Sequence, residues 1–164
     1  MIIAIEKNLQ KGIQLLESIS DEVYADASLG PYYASIGCHI RHILDVYTCI
    51  LNGVASKKID LSARERNEDV ELQTSLGINY FNSVIDQLKS LHQQYDLSEL
   101  LNVTDDLGLG NETTTYTLGS ILMQAQSHTT HHYASIGYII HQLNITLPTK
   151  DFGFNPSTKK KAKV

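Results

Sequence analysis

Four long segments of the chain repeat apolar residues at intervals of three and four, and this periodicity limits the possible folds more than any other feature. The segments span residues 3–19, 35–53, 67–95 and 117–144. Because an α-helix turns once every 3.6 residues, such spacing gathers apolar side chains on one face, as Ile5, Leu9, Ile13 and Leu16 do in the first segment. The sequence therefore predicts an all-α protein, a four-helix bundle.

The connection between the third and fourth helical segments is longer than the others. It reads "LLNVTDDLGLGNETTTYT" and is rich in threonine, aspartate and glycine, which predicts a longer loop or a short β-hairpin. Gly108 and Gly110 lack the strand-to-helix context of a phosphate-binding loop and are interpreted as a turn. Asp105 and Asp106 do not have the spacing of a calcium-binding EF-hand loop.

A length of 164 residues predicts one domain spanning 1–164, with a basic, mobile tail at about 157–164. The net charge of −5 argues against nucleic acid as the main partner, since phosphate binding requires a basic face. No apolar run approaches the roughly 20 residues of a membrane span, and the amino terminus lacks the pattern of a signal peptide. We therefore expect a cytoplasmic protein that does not bind membranes, in which Cys38 and Cys49 remain thiols.

The pentapeptide "YASIG" occurs twice, at residues 33–37 and 133–137. A duplicated metal-binding unit would place histidines at matching offsets from both copies. Instead, His39 and His42 follow the first copy, whereas three histidines precede the second. We interpret the second occurrence of the pentapeptide as coincidence, not as an internal repeat.

Three of the seven histidines lie within the stretch "SHTTHHYASIG" of the fourth segment. His128 and His132 are four residues apart, so their imidazoles lie one helical turn apart on the apolar face. His131 points about 100° away from His132 and is not expected to complete the same site. Buried histidines require partners, and a metal ion is one partner that serves two imidazoles. Ordinary core histidines, satisfied by threonines or carbonyl groups, are the alternative.

A metal site with an open position needs a third protein ligand, and the second helical segment offers His39 and His42. The apolar arc of that segment includes Ile36, Ile40 and Ile43, and His39 lies nearer to it than His42 does. The helical wheel alone therefore favours His39 without settling the choice.

The stretches "SIGCHIRHILDVY" and "SHTTHHYASIG" together resemble the DinB/YfiT-like family, and the later "FGFNPST" is similar to a pattern in one of its branches. The resemblance implies a four-helix bundle that holds a divalent metal, commonly zinc or nickel, through three histidines. By that resemblance the metal ligands are His42, three residues before Asp45, together with His128 and His132. The candidates for a catalytic or supporting role are then His39, His131 and Asp45.

The function that follows is metal-dependent chemistry on a small molecule, either hydrolysis or transfer of a thiol. Relatives implied by the resemblance include bacillithiol transferases and a mycothiol-dependent isomerase, so a low-molecular-weight thiol is one expected partner. Two alternatives remain open at this level: a non-catalytic bundle that binds a metal or small ligand, and a structural dimerisation module. Pairing of two copies through helix faces would give a homodimer.

Overall fold

The computed structural model describes residues 1–158, within which five α-helices and three β-strands follow one another along the chain. The helices are α1 (Ile2–Leu16), α2 (Asp21–Ala25), α3 (Ile36–Gly53), α4 (Thr74–Gln94) and α5 (Leu118–Gln142). The strands are β1 (Lys58–Asp60), β2 (Leu100–Asp106) and β3 (Asn111–Thr117). The prediction of an all-α four-helix bundle is therefore wrong, because a mixed three-stranded sheet accompanies the helices.

The sheet has the strand order β1-β2-β3, with β1 parallel to β2 and β2 antiparallel to β3. Ile59 lies opposite Val103, and both side chains are buried. Strand β1 is only three residues long, so it contains too little alternation to be recognised from sequence. Its partner β2 lies beyond the whole of α4, and no local pattern predicts such a distant pairing.

A tight turn joins β2 to β3 and contains both glycines of the predicted turn. Gly108 and Gly110 adopt positive φ angles of 87° and 119°, which glycine tolerates without steric cost. The backbone N–H of Gly108 donates to the Asp106 carboxylate at 2.7 Å. The glycines therefore serve the reversal of the chain between two antiparallel strands.

The four long helices lie in the four periodic segments, but two boundaries differ by more than two residues. Helix α1 ends at Leu16, whereas its segment was predicted to extend to residue 19. The third segment was predicted to begin at residue 67, but α4 begins at Thr74, because Glu68–Glu71 form a 3-10 turn before it. Ser35 caps α3, since its hydroxyl accepts a hydrogen bond from the backbone N–H of Cys38 at 3.0 Å. The short helix α2 was not predicted, because five residues are too few to show a period.

Helix α3 is the central element, since it packs against α4 and α5 and also contacts β1. Its buried side chains extend around much of its circumference, and Ile36, Ile40, Leu44 and Tyr47 are fully buried. At a few tens of cal/mol per Å² of apolar surface, this burial provides the main force that holds α3 beside α5. That packing places the histidine-bearing faces of the two helices against each other.

The two "YASIG" copies occupy different structures, in agreement with their interpretation as coincidence. Tyr33 precedes α3, has a positive φ of 52° and is exposed. Tyr133 lies within α5, is fully buried and stacks on Phe152 with ring centroids 4.5 Å apart. Residues 33–35 of the first copy precede α3 and are not helical, whereas all five residues of the second copy lie within α5.

Phe152 anchors the segment after α5, as its burial and its stacking on Tyr133 show. An ion pair of 2.7 Å between Lys11 and Asp151 adds a contact to α1. The predicted basic tail at 157–164 lies, from residue 159 onwards, outside the described residues. Within residues 1–158, no helix has the length and apolar character needed to cross a membrane.

Candidate metal centre

His42 on α3 and the pair His128 and His132 on α5 come together where the two helices pack. The Nε2 atom of His128 lies 2.8 Å from Nε2 of His42 and 3.1 Å from Nε2 of His132. One ligand nitrogen from each of the three side chains can be chosen so that all lie within 4.8 Å of one another. The i, i+4 spacing on α5 thus supplies two imidazoles to one point, and α3 supplies the third.

Hydrogen bonding alone does not account for this arrangement. An imidazole nitrogen has either one N–H or one lone pair, so Nε2 of His128 cannot satisfy two neighbours equally well. A cation at the common point would accept a lone pair from all three rings. Zinc with N ligands at 2.0–2.1 Å in a tetrahedron separates neighbouring nitrogens by about 3.3 Å. The two distances from Nε2 of His128 are only a few tenths shorter than that, at 2.8 and 3.1 Å. The three residues therefore fit a metal ion.

The surroundings keep these rings neutral, which is the form that binds metals. Burial, reinforced by nearby His128, lowers the pKa of His42 from 6.5 to about 4. Burial, reinforced by His128 and His42, lowers the pKa of His132 to about 3. Burial also lowers the pKa of His128. All three rings are only partly buried, so the cluster remains open to small molecules on one side.

His39 lies directly behind one of the three histidines. Its Nδ1 is 2.8 Å from Nδ1 of His132, and the ring centroids are 5.1 Å apart. If Nε2 of His132 is a metal ligand, its Nδ1 carries the proton and donates to Nδ1 of His39. His39, which the helical wheel favoured as a ligand, therefore contacts the cluster from outside.

His131 is exposed, although it is adjacent to His132 in sequence. Its ring centroid lies 6.4 Å from that of His128 and 5.3 Å from that of His132. Its charge contributes to the lowered pKa of His128, after burial. The side chain is thus at the edge of the cluster and is not a member of the three-nitrogen group.

Asp45 lies one turn after His42 but faces a different set of partners. Its carboxylate accepts from Arg41 at 2.5 Å and from the Tyr80 hydroxyl at 3.1 Å. Arg41 also pairs with Glu71, so a buried network links α3, α4 and the preceding 3-10 turn. Burial raises the pKa of Asp45, while its bond to Arg41 opposes that rise. Among the described residues, no hydrogen bond joins Asp45 to a histidine.

A cavity of about 180 Å³ opens beside the histidines, and we call it the histidine cavity. His42 and His128 form part of its wall, and Arg64 and Asp105 contribute charged groups. Sequence reasoning missed Arg64, because it lies in the polar stretch "SKKIDLSARER", which has no periodicity. The sheet explains the contribution of Asp105, which follows Leu101 and Val103 at alternate positions of β2 and so points to the same face.

The sequence model of the DinB family matches residues 4–162. Among solved structures, the chain is similar to a DinB-like protein from Bacillus cereus ATCC 10987, with a TM-score of 0.63 and 16% sequence identity. The match covers 87% of this chain and 89% of that one, and at this identity it shows a shared fold alone. No curated protein matches the sequence.

Proposed function

The chain belongs to the DinB family, and we propose that its three-histidine cluster holds a divalent metal ion, zinc or nickel, that acts on a small molecule. The ligands in this proposal are His42, His128 and His132. The reaction is hydrolysis or the transfer of a thiol, and a low-molecular-weight thiol is one expected substrate.

The observation that carries the proposal is the convergence of three Nε2 atoms beside a cavity. Structural zinc sites are usually closed by four protein ligands, whereas catalytic sites have three and keep one position open. Within residues 1–158, the metal-ligating group at this place has three members. The histidine cavity adjoins two of them, His42 and His128, so a substrate can reach the fourth position.

A bound divalent ion would supply Lewis acidity and lower the pKa of a water or thiol at its open position. The protein contributes everything else. The packing of α3 on α5 fixes the three imidazoles, and their lowered pKa values keep the lone pairs available near neutral pH. With Nε2 of His132 bound to the metal, Nδ1 of His39 would accept a hydrogen bond from the Nδ1–H of His132 and so fix the ring and its tautomer. The small cavity limits the size of the reacting end of the substrate.

A dimerisation module and a non-catalytic metal-binding protein are the two alternatives. In a dimerisation module with ordinary buried histidines, each imidazole would have its own hydrogen bond. Two imidazole nitrogens instead lie within 3.1 Å of Nε2 of His128, which argues against that alternative. A non-catalytic metal-binding protein would share the metal site but would not need the adjoining cavity. A cytoplasmic location and a homodimer remain parts of the proposal that rest on the sequence.

Metal-dependent turnover tests the enzyme proposal. Purified protein loaded with zinc or nickel is assayed for conjugation of small thiols to an electrophilic dye and for hydrolysis of activated esters and amides. We expect turnover that a chelator abolishes and that added metal restores. The His42→Ala variant should be inactive, while His92→Ala, an exposed histidine on α4, should match the wild type. Metal-loaded protein without metal-dependent turnover on any of these substrates would contradict an enzymatic role.

A further inference from the structure

Among residues 1–158, Arg64 is the one arginine or lysine in the wall of the histidine cavity, and it lies beside the candidate metal ligands His42 and His128. Arg64 directly follows the 3-10 turn Leu61–Ala63. The Asp60 carboxylate accepts from the backbone N–H of Ser62 at 3.0 Å and caps this turn. One guanidinium nitrogen of Arg64 donates to the Leu61 carbonyl oxygen. These contacts hold the side chain next to the cavity by short-range bonds within its own loop.

The guanidinium of Arg64 has most of its hydrogen-bonding capacity available. A guanidinium carries five N–H donors, and the bond to Leu61 uses one nitrogen. Among residues 1–158, no carboxylate lies within ion-pair distance of Arg64. Arg41 provides the contrast within the same protein, since its guanidinium pairs with both Asp45 and Glu71. The guanidinium of Arg41 is therefore occupied by carboxylates of the protein itself, whereas that of Arg64 can bind an external anion.

Arg64 and two of the candidate ligands, His42 and His128, line the same cavity. Because that cavity measures only about 180 Å³, a molecule that enters it lies near the guanidinium and near both imidazoles. An anionic group seated on Arg64 would therefore belong to a molecule that also reaches the open side of the cluster.

We propose that the substrate of this centre is a small acid whose carboxylate or phosphate group binds the Arg64 guanidinium while its reacting end faces His42 and His128. The inference rests on the proposed function and adds a substrate class to it. A guanidinium fork matches the oxygen geometry of both anions, which makes arginine suited to such recognition. The cavity of about 180 Å³ is smaller than a typical drug-sized site of about 300 Å³ or more, and so suits a short substrate arm.

Asp105 lines the same cavity and opposes this preference. Its carboxylate repels an anion, whereas the guanidinium of Arg64 attracts one and can donate hydrogen bonds to its oxygens. The expected preference for acids therefore depends on Arg64.

Cobalt-loaded protein gives a direct test, because a thiolate bound to cobalt produces a charge-transfer absorption band. Three probes of similar length are titrated: 3-mercaptopropionate, 2-mercaptoethylphosphonate and 3-mercaptopropan-1-ol. We expect at least one acid to bind with a Kd about tenfold or more below that of the alcohol. The better acid identifies the anion as carboxylate or phosphate. The Arg64→Gln variant should lose the preference, with an unchanged Kd for the alcohol and unchanged cobalt content.

The matched control is Arg66→Gln, an exposed arginine two residues away that does not line the histidine cavity. It should retain the preference for acids. Equal affinities of all three probes for the wild type, failure of all three to bind, or a preference that survives Arg64→Gln would overturn the inference while leaving metal binding intact. Absence of cobalt binding would instead overturn the proposed function, and this inference with it.

Discussion

His39 and His132 face each other through their Nδ1 atoms, 2.8 Å apart. This contact leaves Nε2 of His132 directed at Nε2 of His128. Only one of the two Nδ1 atoms can carry the shared proton, and a metal on Nε2 requires that it be His132. His39 therefore acts through His132 as a positioning residue.

Replacing His39 should weaken metal binding without removing a ligand. We expect His39→Phe to raise the Kd for zinc about 10- to 100-fold, because Nδ1 of His132 loses its acceptor. His39→Gln, which retains a polar acceptor, should recover part of the affinity. Competition with a chromophoric chelator measures both values. His131→Phe is the control, and zinc affinity in His39→Phe equal to that of the control would show that the contact has no positioning role.

The two "YASIG" glycines should respond in opposite directions to the same substitution. A Cβ on Gly37 would collide with the backbone carbonyl of Glu71, whereas a Cβ on Gly137 would meet no atom within 4 Å. Gly37→Ala should therefore cost about 1–3 kcal/mol of unfolding free energy. Gly137→Ala should add up to about 1 kcal/mol, because alanine is favoured inside a helix. Urea denaturation measures both, and equal effects would contradict the packing described for α3.

The buried network around Arg41 should contribute far more to stability than a surface ion pair. Arg41→Ala leaves the buried Asp45 carboxylate without its cation, which should cost about 3–5 kcal/mol. The comparison is Lys89→Ala, which removes the more exposed pair with Glu6 and should cost less than about 1 kcal/mol. Chemical denaturation distinguishes the two values. A cost for Arg41→Ala as small as that for Lys89→Ala would contradict the burial of the network.

The metal-free protein should lose stability as pH falls below neutrality. His42 and His132 have pKa values of about 4 and 3 in the folded protein, and 6.5 is the ordinary value expected in the unfolded chain. The unfolded chain therefore takes up protons first. Above about pH 6.5, protonation of His42 and His132 does not change the free energy of unfolding. As the pH falls from 6.5 toward 4, protonation of these residues in the unfolded chain lowers the free energy of unfolding.

Variants at the cluster isolate this effect from that of other groups. His132→Gln should flatten the decline between pH 6.5 and 5, whereas His92→Gln should leave it unchanged. Thermal denaturation across this range, in the presence of a chelator, supplies the measurement. A slope in His132→Gln identical to that of the wild type would show that the cluster does not control the decline.

The sequence predicted the helical part of the fold because amphipathic helices carry their period within one segment. Strand β1 escaped prediction because its stability comes from pairing with β2, far along the chain, and not from its own three residues. Helix α4 begins later than its period suggested, since the 3-10 turn before it also buries an apolar residue, Val70.

For the candidate site, local spacing predicted the closeness of His128 and His132 but could not distinguish His39 from His42. In the structure both lie against α5, with His39 beside His132 and His42 beside His128. Only the packing of α3 on α5 shows that His42 and not His39 directs a nitrogen into the cluster. The resemblance indicated His42 where the wheel favoured His39. Arg64 gave no signal, because a loop residue reaches the cavity only through tertiary structure.

Metal content measured on purified, untagged protein is the decisive test of the three-histidine centre. We expect about one equivalent of zinc or nickel per chain in the wild type. His128→Ala removes the nitrogen that faces both other ligands and should abolish this content, while His131→Ala, three residues further along α5, should retain it. A wild-type protein that binds no divalent metal when zinc or nickel is supplied, or a His128→Ala variant with full metal content, would contradict the three-histidine centre.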